Sequence, residues 1–97
     1  MRLCWSSRAW LDYIHCQQTD WRHVEKINVL INDCIRNPFS GLGKPESLRG
    51  EMQGLWSRRI SNEHRLVYRI SGKDENQILE VLSCRFHYVH PDRKKLL

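Results

Sequence analysis

Thr19-Asp20-Trp21-Arg22-His23-Val24-Glu25-Lys26-Ile27-Asn28-Val29-Leu30-Ile31-Asn32-Asp33-Cys34-Ile35-Arg36-Asn37-Pro38 reads as one helix with its start and stop signals attached. Val24, Ile27, Leu30, Ile31 and Cys34 recur at i, i+3, i+6, i+7 and i+10, a single apolar stripe on a helical period. Thr19-Asp20 supplies side-chain oxygens that accept from the first free amides, and Asn37-Pro38 ends the run because proline restricts the residue before it. Upstream, Arg2 to Trp5 is short and apolar and predicts a strand. Ser6-Ser7 caps a second helix, which Trp10, Tyr13, Ile14 and Gln17 carry to about Gln18. Two amphipathic helices with almost no linker predict a hairpin whose apolar faces turn to a common partner.

That partner lies downstream. From Pro38 to Gly54, Gly41, Gly43, Pro45, Gly50 and Gly54 break every period, which predicts a long loop carrying Lys44, Glu46 and Arg49. Such loops are uncommon in compact domains unless they are functional or disordered. Beyond it the pattern alternates. Trp56, Arg58 and Ile60 oppose Leu55, Ser57 and Arg59; after a turn at Ser61-Asn62-Glu63, Leu66, Tyr68 and Ile70 oppose Arg65, Val67 and Arg69. A polar turn from Ser71 to Asn76 leads to a third run from Ile78 to Phe86. The expected fold class is α+β: the helical hairpin on one face of a small twisted, mostly antiparallel four-stranded sheet that includes the N-terminal strand. The segment 89–97 is polar and basic, a composition compatible with disorder.

Ninety-seven residues make one domain, with no inter-domain cleft for a large cofactor. Sixteen Lys and Arg against eleven Asp and Glu, formally +5, favour a polyanionic partner such as nucleic acid. Cys4, Cys16, Cys34 and Cys84 form no Cys-x-x-Cys pair and sit near apolar stretches, so reduced, buried thiols are expected. With neither a signal-like N-terminus nor a bilayer-length apolar run, a cytoplasmic protein without membrane attachment is expected. A zinc site from His15, Cys16 and His23 is conceivable, but the spacing fits no standard finger. No metal and no cofactor are expected.

Strand parity sorts the polar residues. If Leu66, Tyr68 and Ile70 pack beneath the helices, Arg65 and Arg69 face away from them, and Ser57 with Arg59, and Arg85 with His87, can join that face beside the Glu46 loop. RNA carries its own nucleophile, the 2′-hydroxyl. Cleavage then needs a base for the 2′ proton, a fixed cation for the charge on the phosphorus oxygens, and an acid for the departing 5′ oxygen. Glu46, Arg65 and His87 match these roles in that order. Tyr88 would position or share the acid step, while Lys44, Arg49 and Arg59 would hold flanking phosphates. Trp56 or Tyr88 offers a surface for base stacking. Each residue also has a plainer reading: a solvated loop Glu, a surface Arg, a His-Tyr pair capping a strand, tryptophans such as Trp5 and Trp10 in the core. Parity and composition alone stop at a basic α/β domain suited to RNA.

Longer motifs go further. They begin with Trp5-Ser6 followed by Trp10, Asp12-Tyr13, Thr19-Asp20, and Lys26-Ile27-Asn28 with Leu30-Ile31. Asn37-Pro38-Phe39, Gly41-x-Gly43-Lys44-Pro45-Glu46-x-Leu48 and Gly54-x-Trp56-Ser57-Arg58-Arg59-Ile60 follow, then Glu63-His64-Arg65-Leu66-Val67-Tyr68 and Cys84-Arg85-Phe86-His87-Tyr88. Together they resemble the YoeB (Txe-type) toxins of the RelE-like superfamily, in one order across nearly all of 1–88. The resemblance implies a RelE-like ribonuclease domain over 1–88, followed by the tail 89–97. It implies a toxin–antitoxin component that cuts messenger RNA in the ribosomal A site without metal, through a 2′,3′-cyclic phosphate, leaving a 5′-hydroxyl. Glu46, Arg65, His87 and Tyr88 match the family's catalytic positions. Lys44 and Arg59 match its supporting basic positions, as does Arg49, where Arg replaces the usual Lys. A YefM/Axe-type antitoxin is the implied partner, with homodimers a further association. Two departures stand out: a longer turn from Ser71 to Gln77, and the tail beyond Tyr88, where His90 is a second acid candidate. Two other classes stay open, a toxin of this fold that binds another target such as gyrase and a non-catalytic RNA or operator binder.

Overall fold

Asp20 organises the helical hairpin from both sides. In the computed structural model, which describes residues 1–86, its amide donates to the Cys16 carbonyl and closes α1 (Ser7–Thr19). Its carboxylate accepts from the Arg22 and His23 amides and opens α2 (Trp21–Arg36). Ser6 caps α1 at the other end: its hydroxyl accepts from the Ala9 amide and donates to the Leu82 carbonyl, tying the helix start to the sheet. The stripe of α2 is buried as its spacing requires, with Val24, Ile27, Leu30, Ile31 and Cys34 all at or below 5% exposure.

The stripe of α1 differs from expectation. Its buried residues are Ala9, Asp12 and Cys16, with Tyr13 half-buried, while Trp10 is 48% exposed. Small side chains let α1 approach the sheet closely, and the large Trp10 is left at the rim beside Trp5 and Tyr13. Asp12 is tolerated inside because both of its oxygens are used, one by the Arg8 Nε and one by the Cys84 amide.

The sheet has five strands in the order β1-β5-β4-β3-β2: β1 (Arg2–Trp5), β2 (Glu46–Ser47), β3 (Trp56–Arg59), β4 (Arg65–Ser71) and β5 (Ile78–Ser83). The β1–β5 pairing is parallel and the rest antiparallel. Four strands were expected. The fifth, β2, lies inside the predicted loop, and two residues are too short to show a period. Its partner is fixed by register, with Glu46 opposite Ser57 and Ser47 opposite Trp56. Leu66, Tyr68, Leu79 and Val81 face the helices and share one core with Ala9, Cys16 and the α2 stripe, against which Trp5, Trp56 and Ile70 pack. The last strand stops at Ser83 rather than Phe86, because the Cys84 amide and carbonyl turn to helix side chains instead of to β4.

A charged network holds the long connection between α2 and β3. Arg58, in phase with Trp56 on the helix-facing side, is 0% exposed, and all five of its N–H groups have acceptors. Nη1 donates to Asp33 Oδ2 (2.6 Å) and the Leu42 carbonyl (3.1 Å), Nη2 to the Asn37 and Ser40 carbonyls, and Nε to the Tyr68 hydroxyl (3.2 Å). Tyr68 passes its own proton to the Pro38 carbonyl (2.8 Å), and Asp33 Oδ2 also accepts from the Leu42 amide (2.9 Å). The Leu42 amide and the Arg58 guanidinium hold the Asp33 carboxyl below its usual range. One buried guanidinium thus pins residues 37–42 to the sheet and delivers the chain to Glu46.

Candidate active site

Cross-strand register puts one row of side chains on the face away from the helices: Glu46 on β2, Ser57 on β3, Val67 on β4 and Ser83 on β5. The neighbouring row pairs Arg59 with Arg65. Glu46, Arg59 and Arg65 therefore share a face, as strand parity predicted. Two strand spacings of about 4.8 Å and one two-residue step separate Glu46 from Arg65, roughly 12 Å between Cα atoms. A phosphodiester bridging a carboxylate and a guanidinium fits that span. The centre of the face is buried rather than open, with Ser57 and Val67 both 2% exposed. Glu46 and Arg59 stand exposed at its edge.

Arg65 is anchored. It is 9% exposed, and its Nη1 donates to the Ser61 (2.7 Å), Asn62 (3.3 Å) and His64 (3.1 Å) carbonyls, so its own hairpin turn holds the guanidinium. A cation fixed before substrate arrives needs no reorganisation as charge develops on it. Glu46 contrasts with this: among the described residues no hydrogen bond or ion pair holds its carboxylate, which leaves both oxygens available to a substrate hydroxyl. Lys44 is exposed and adopts φ +52 immediately after Gly43, whose carbonyl accepts from the Arg59 amide (2.7 Å). Arg49 is exposed at the start of a short 3-10 turn, Gly50–Met52. Lys44 and Arg49 thus flank the edge strand β2 in sequence, and β2 pairs with the strand that carries Arg59.

Two expectations are corrected, and one conceivable site is not built. Trp56 lies opposite Tyr68 on the helix-facing side, against Phe39 (4.9 Å between ring centroids), so it is not on the face that carries Glu46. Arg85 is not with Arg59 and Arg65: its guanidinium covers the Phe86 ring (4.5 Å), and it lines a cavity of about 350 Å³ with His15, Cys16 and Asp20. His15, Cys16 and His23 do not build a metal site: among the described residues no three His, Cys, Asp or Glu side chains are placed to hold a metal ion, and His23 Nε2 is spent on the Cys84 carbonyl (3.0 Å). His87 and Tyr88, with His90 and the tail, lie outside the described residues.

Sequence reading missed the Arg58–Asp33–Tyr68 network that delivers Glu46, and the side chains that seize the chain after β5. The first left a trace: Arg58 falls in the apolar phase of its strand, and a charge in a buried phase implies a buried partner. Among the described residues no helix is long and apolar enough to cross a membrane.

The model of a family described as the YoeB-like toxin of bacterial type II toxin–antitoxin systems matches residues 5–88. The chain belongs to this family. It is 50% identical to Toxin YoeB of Escherichia coli (strain K12) over 88 residues, 91% of this chain and 100% of that one. A solved YoeB/ParE toxin from Agrobacterium tumefaciens is 59% identical, covering 91% of this chain and 100% of its own, with a TM-score of 0.87. The Staphylococcus aureus YoeB structures, one a dimer and one a heterotetramer with YefM, are each 42% identical, covering 91% of this chain and 98% of theirs, at TM-scores of 0.79 and 0.78. The fold is RelE-like and the protein is a toxin of a type II toxin–antitoxin system.

Proposed function

We propose that this YoeB-family toxin is a metal-independent endoribonuclease that cuts messenger RNA in the ribosomal A site. The observation that carries the reading is the shared face of Glu46, Arg59 and Arg65, set by the β2–β3–β4 register. Glu46 takes the proton of the 2′-hydroxyl, whose oxygen then bonds to phosphorus. Arg65 meets the charge on the non-bridging oxygens. The P–O5′ bond breaks, and the 5′ oxygen takes a proton from His87, with Tyr88 positioning or sharing that transfer. The products are a 2′,3′-cyclic phosphate and a 5′-hydroxyl, so atoms and protons balance without added water. Lys44, Arg49 and Arg59 hold flanking phosphates, a role suited to exposed cations along an edge. The catalytic unit spans 1–88, with 89–97 as an appended basic tail.

The relatives that crystallise with YefM or as a dimer support a YefM/Axe-type antitoxin as the cytoplasmic partner, and a homodimer as a second association. The test is cleavage of messenger RNA on purified ribosomes, with 5′ ends mapped and the cut nucleotide replaced by its 2′-deoxy form. Cutting is expected to stop with the deoxy substrate and to fall about 10²–10⁴-fold in Glu46→Gln. Undiminished cutting of the deoxy substrate sinks the mechanism. Growth arrest without any scission favours a binding toxin instead.

A further inference from the structure

Three residues separate the end of β5 from His87, and side chains rather than a β-ladder hold much of them. The Cys84 amide donates to Asp12 Oδ2 (3.1 Å), and the Cys84 carbonyl accepts from His23 Nε2 (3.0 Å). The Phe86 amide donates to His64 Nδ1 (2.7 Å), and the Phe86 carbonyl accepts from the Arg65 amide (2.8 Å). The His23 and His64 rings meet edge to face at 4.6 Å, so the grips on Cys84 and Phe86 brace each other. Phe86 itself sits at φ +65, a left-handed conformation that strains a non-glycine residue and persists only where surroundings over-determine it. A segment held by four hydrogen bonds, two at Cys84 and two at the strained Phe86, just before His87 is more than an end to a strand.

We infer that Asp12, His23 and His64 form a clamp that sets the course of the chain into His87, and that His64 is a positioning residue for the acid step. The inference rests on the reading of His87 as the acid. It also gives the Arg65 amide a part: its bond to the Phe86 carbonyl ties Arg65 to the residue immediately before His87 in sequence. The His64 grip requires a neutral ring, because a protonated Nδ1 would present a second donor to the Phe86 amide. The surroundings keep it neutral. Burial lowers the pKa of His64, and the neighbouring His23 and Arg85 lower it further, against opposing pulls from Glu63 and Asp20. Arg22 and Lys26 of α2 line a cavity with His64, and His15 of α1 lines the larger cavity on its other side. Acid therefore opens the clamp.

The experiment compares His64→Leu, His64→Asn and His87→Gln in cleavage on programmed ribosomes from pH 5.5 to 8, with thermal unfolding of each. Asparagine places Oδ1 where Nδ1 lies, keeping an acceptor that does not titrate; leucine keeps bulk without an acceptor. His64→Leu is expected to lower kcat about 10–10²-fold with KM unchanged. His64→Asn is expected to recover most of that rate and to lose the share of the acid-side decline due to His64. Full activity in His64→Leu beside an inactive His87→Gln overturns the clamp alone. Equal loss of rate and of thermal stability in both His64 variants overturns it too, as a purely structural role. Full activity in His87→Gln removes the acid assignment, and the clamp's purpose with it.

Discussion

Replacing Tyr68 by phenylalanine removes one oxygen from a side chain that is 0% exposed. That oxygen accepts from Arg58 Nε at 3.2 Å and donates to the Pro38 carbonyl at 2.8 Å. The ring stays, so no cavity larger than a hydroxyl forms and the loss is almost wholly polar. Arg58 is also fully buried and its other four N–H groups are committed, leaving Nε–H without an acceptor where water does not reach. A lost hydrogen bond to a charged group costs about 1.5–3 kcal/mol, and the half-buried Pro38 carbonyl adds about 0.5–1.5 kcal/mol. We expect a total near 3 kcal/mol, which in a domain of this size lowers Tm by on the order of 15 °C. Urea unfolding at pH 8, followed by tryptophan fluorescence, measures it. A second signature comes from pH. Burial pushes the Tyr68 phenol up to about 12 despite its bond from Arg58. The unfolded chain ionises this phenol near pH 10 and the folded chain near 12, so its stabilisation is complete below 10 and fades as pH rises from 10 to 12. The gap between wild type and Tyr68→Phe should therefore narrow at pH 11. A loss below about 1 kcal/mol, or a gap indifferent to pH, refutes the idea that this network anchors the 37–42 connection.

Other consequences are simpler to check. Burial raises the thiol pKa of Cys16, Cys34 and Cys84, whereas Cys4 is only half-buried. Brief iodoacetamide treatment at pH 8 should give one adduct by mass spectrometry, on Cys4, and prompt multiple labelling would contradict the buried assignment. Gly43 and Gly50 both have positive φ, but a Cβ at Gly43 would lie 2.9 Å from Leu30 Cδ2 and 3.2 Å from the Arg59 carbonyl, while one at Gly50 meets nothing within 4 Å. Gly43→Ala should thus destabilise clearly more than Gly50→Ala, whose cost is the left-handed strain of about 1–2 kcal/mol alone; equal denaturation midpoints would count against the packing of this loop.

Much of the fold was legible because it depends on near neighbours. The α2 stripe, the Ser6 and Asp20 caps, and the alternation that sends Leu66 and Tyr68 inward and Arg59 and Arg65 outward follow from helix and strand periods, which residues a few positions apart carry. The same parity placed the two arginines of the candidate site on one face, and the motifs of the resemblance pointed to Glu46 as their companion. Tertiary structure decided the rest. The two-residue strand β2 has no period of its own, and only pairing with Ser57 and Trp56 turns a Gly-rich loop into a fixed seat for Glu46. Arg58 is safe inside only because Asp33 and Tyr68, far off in sequence, arrive with acceptors. The chain after β5 leaves the sheet because Asp12, His23 and His64 offer partners that no local pattern announces. Hydrophobic period is a property of a segment, whereas a buried polar group is settled by whichever distant residue the fold brings to it.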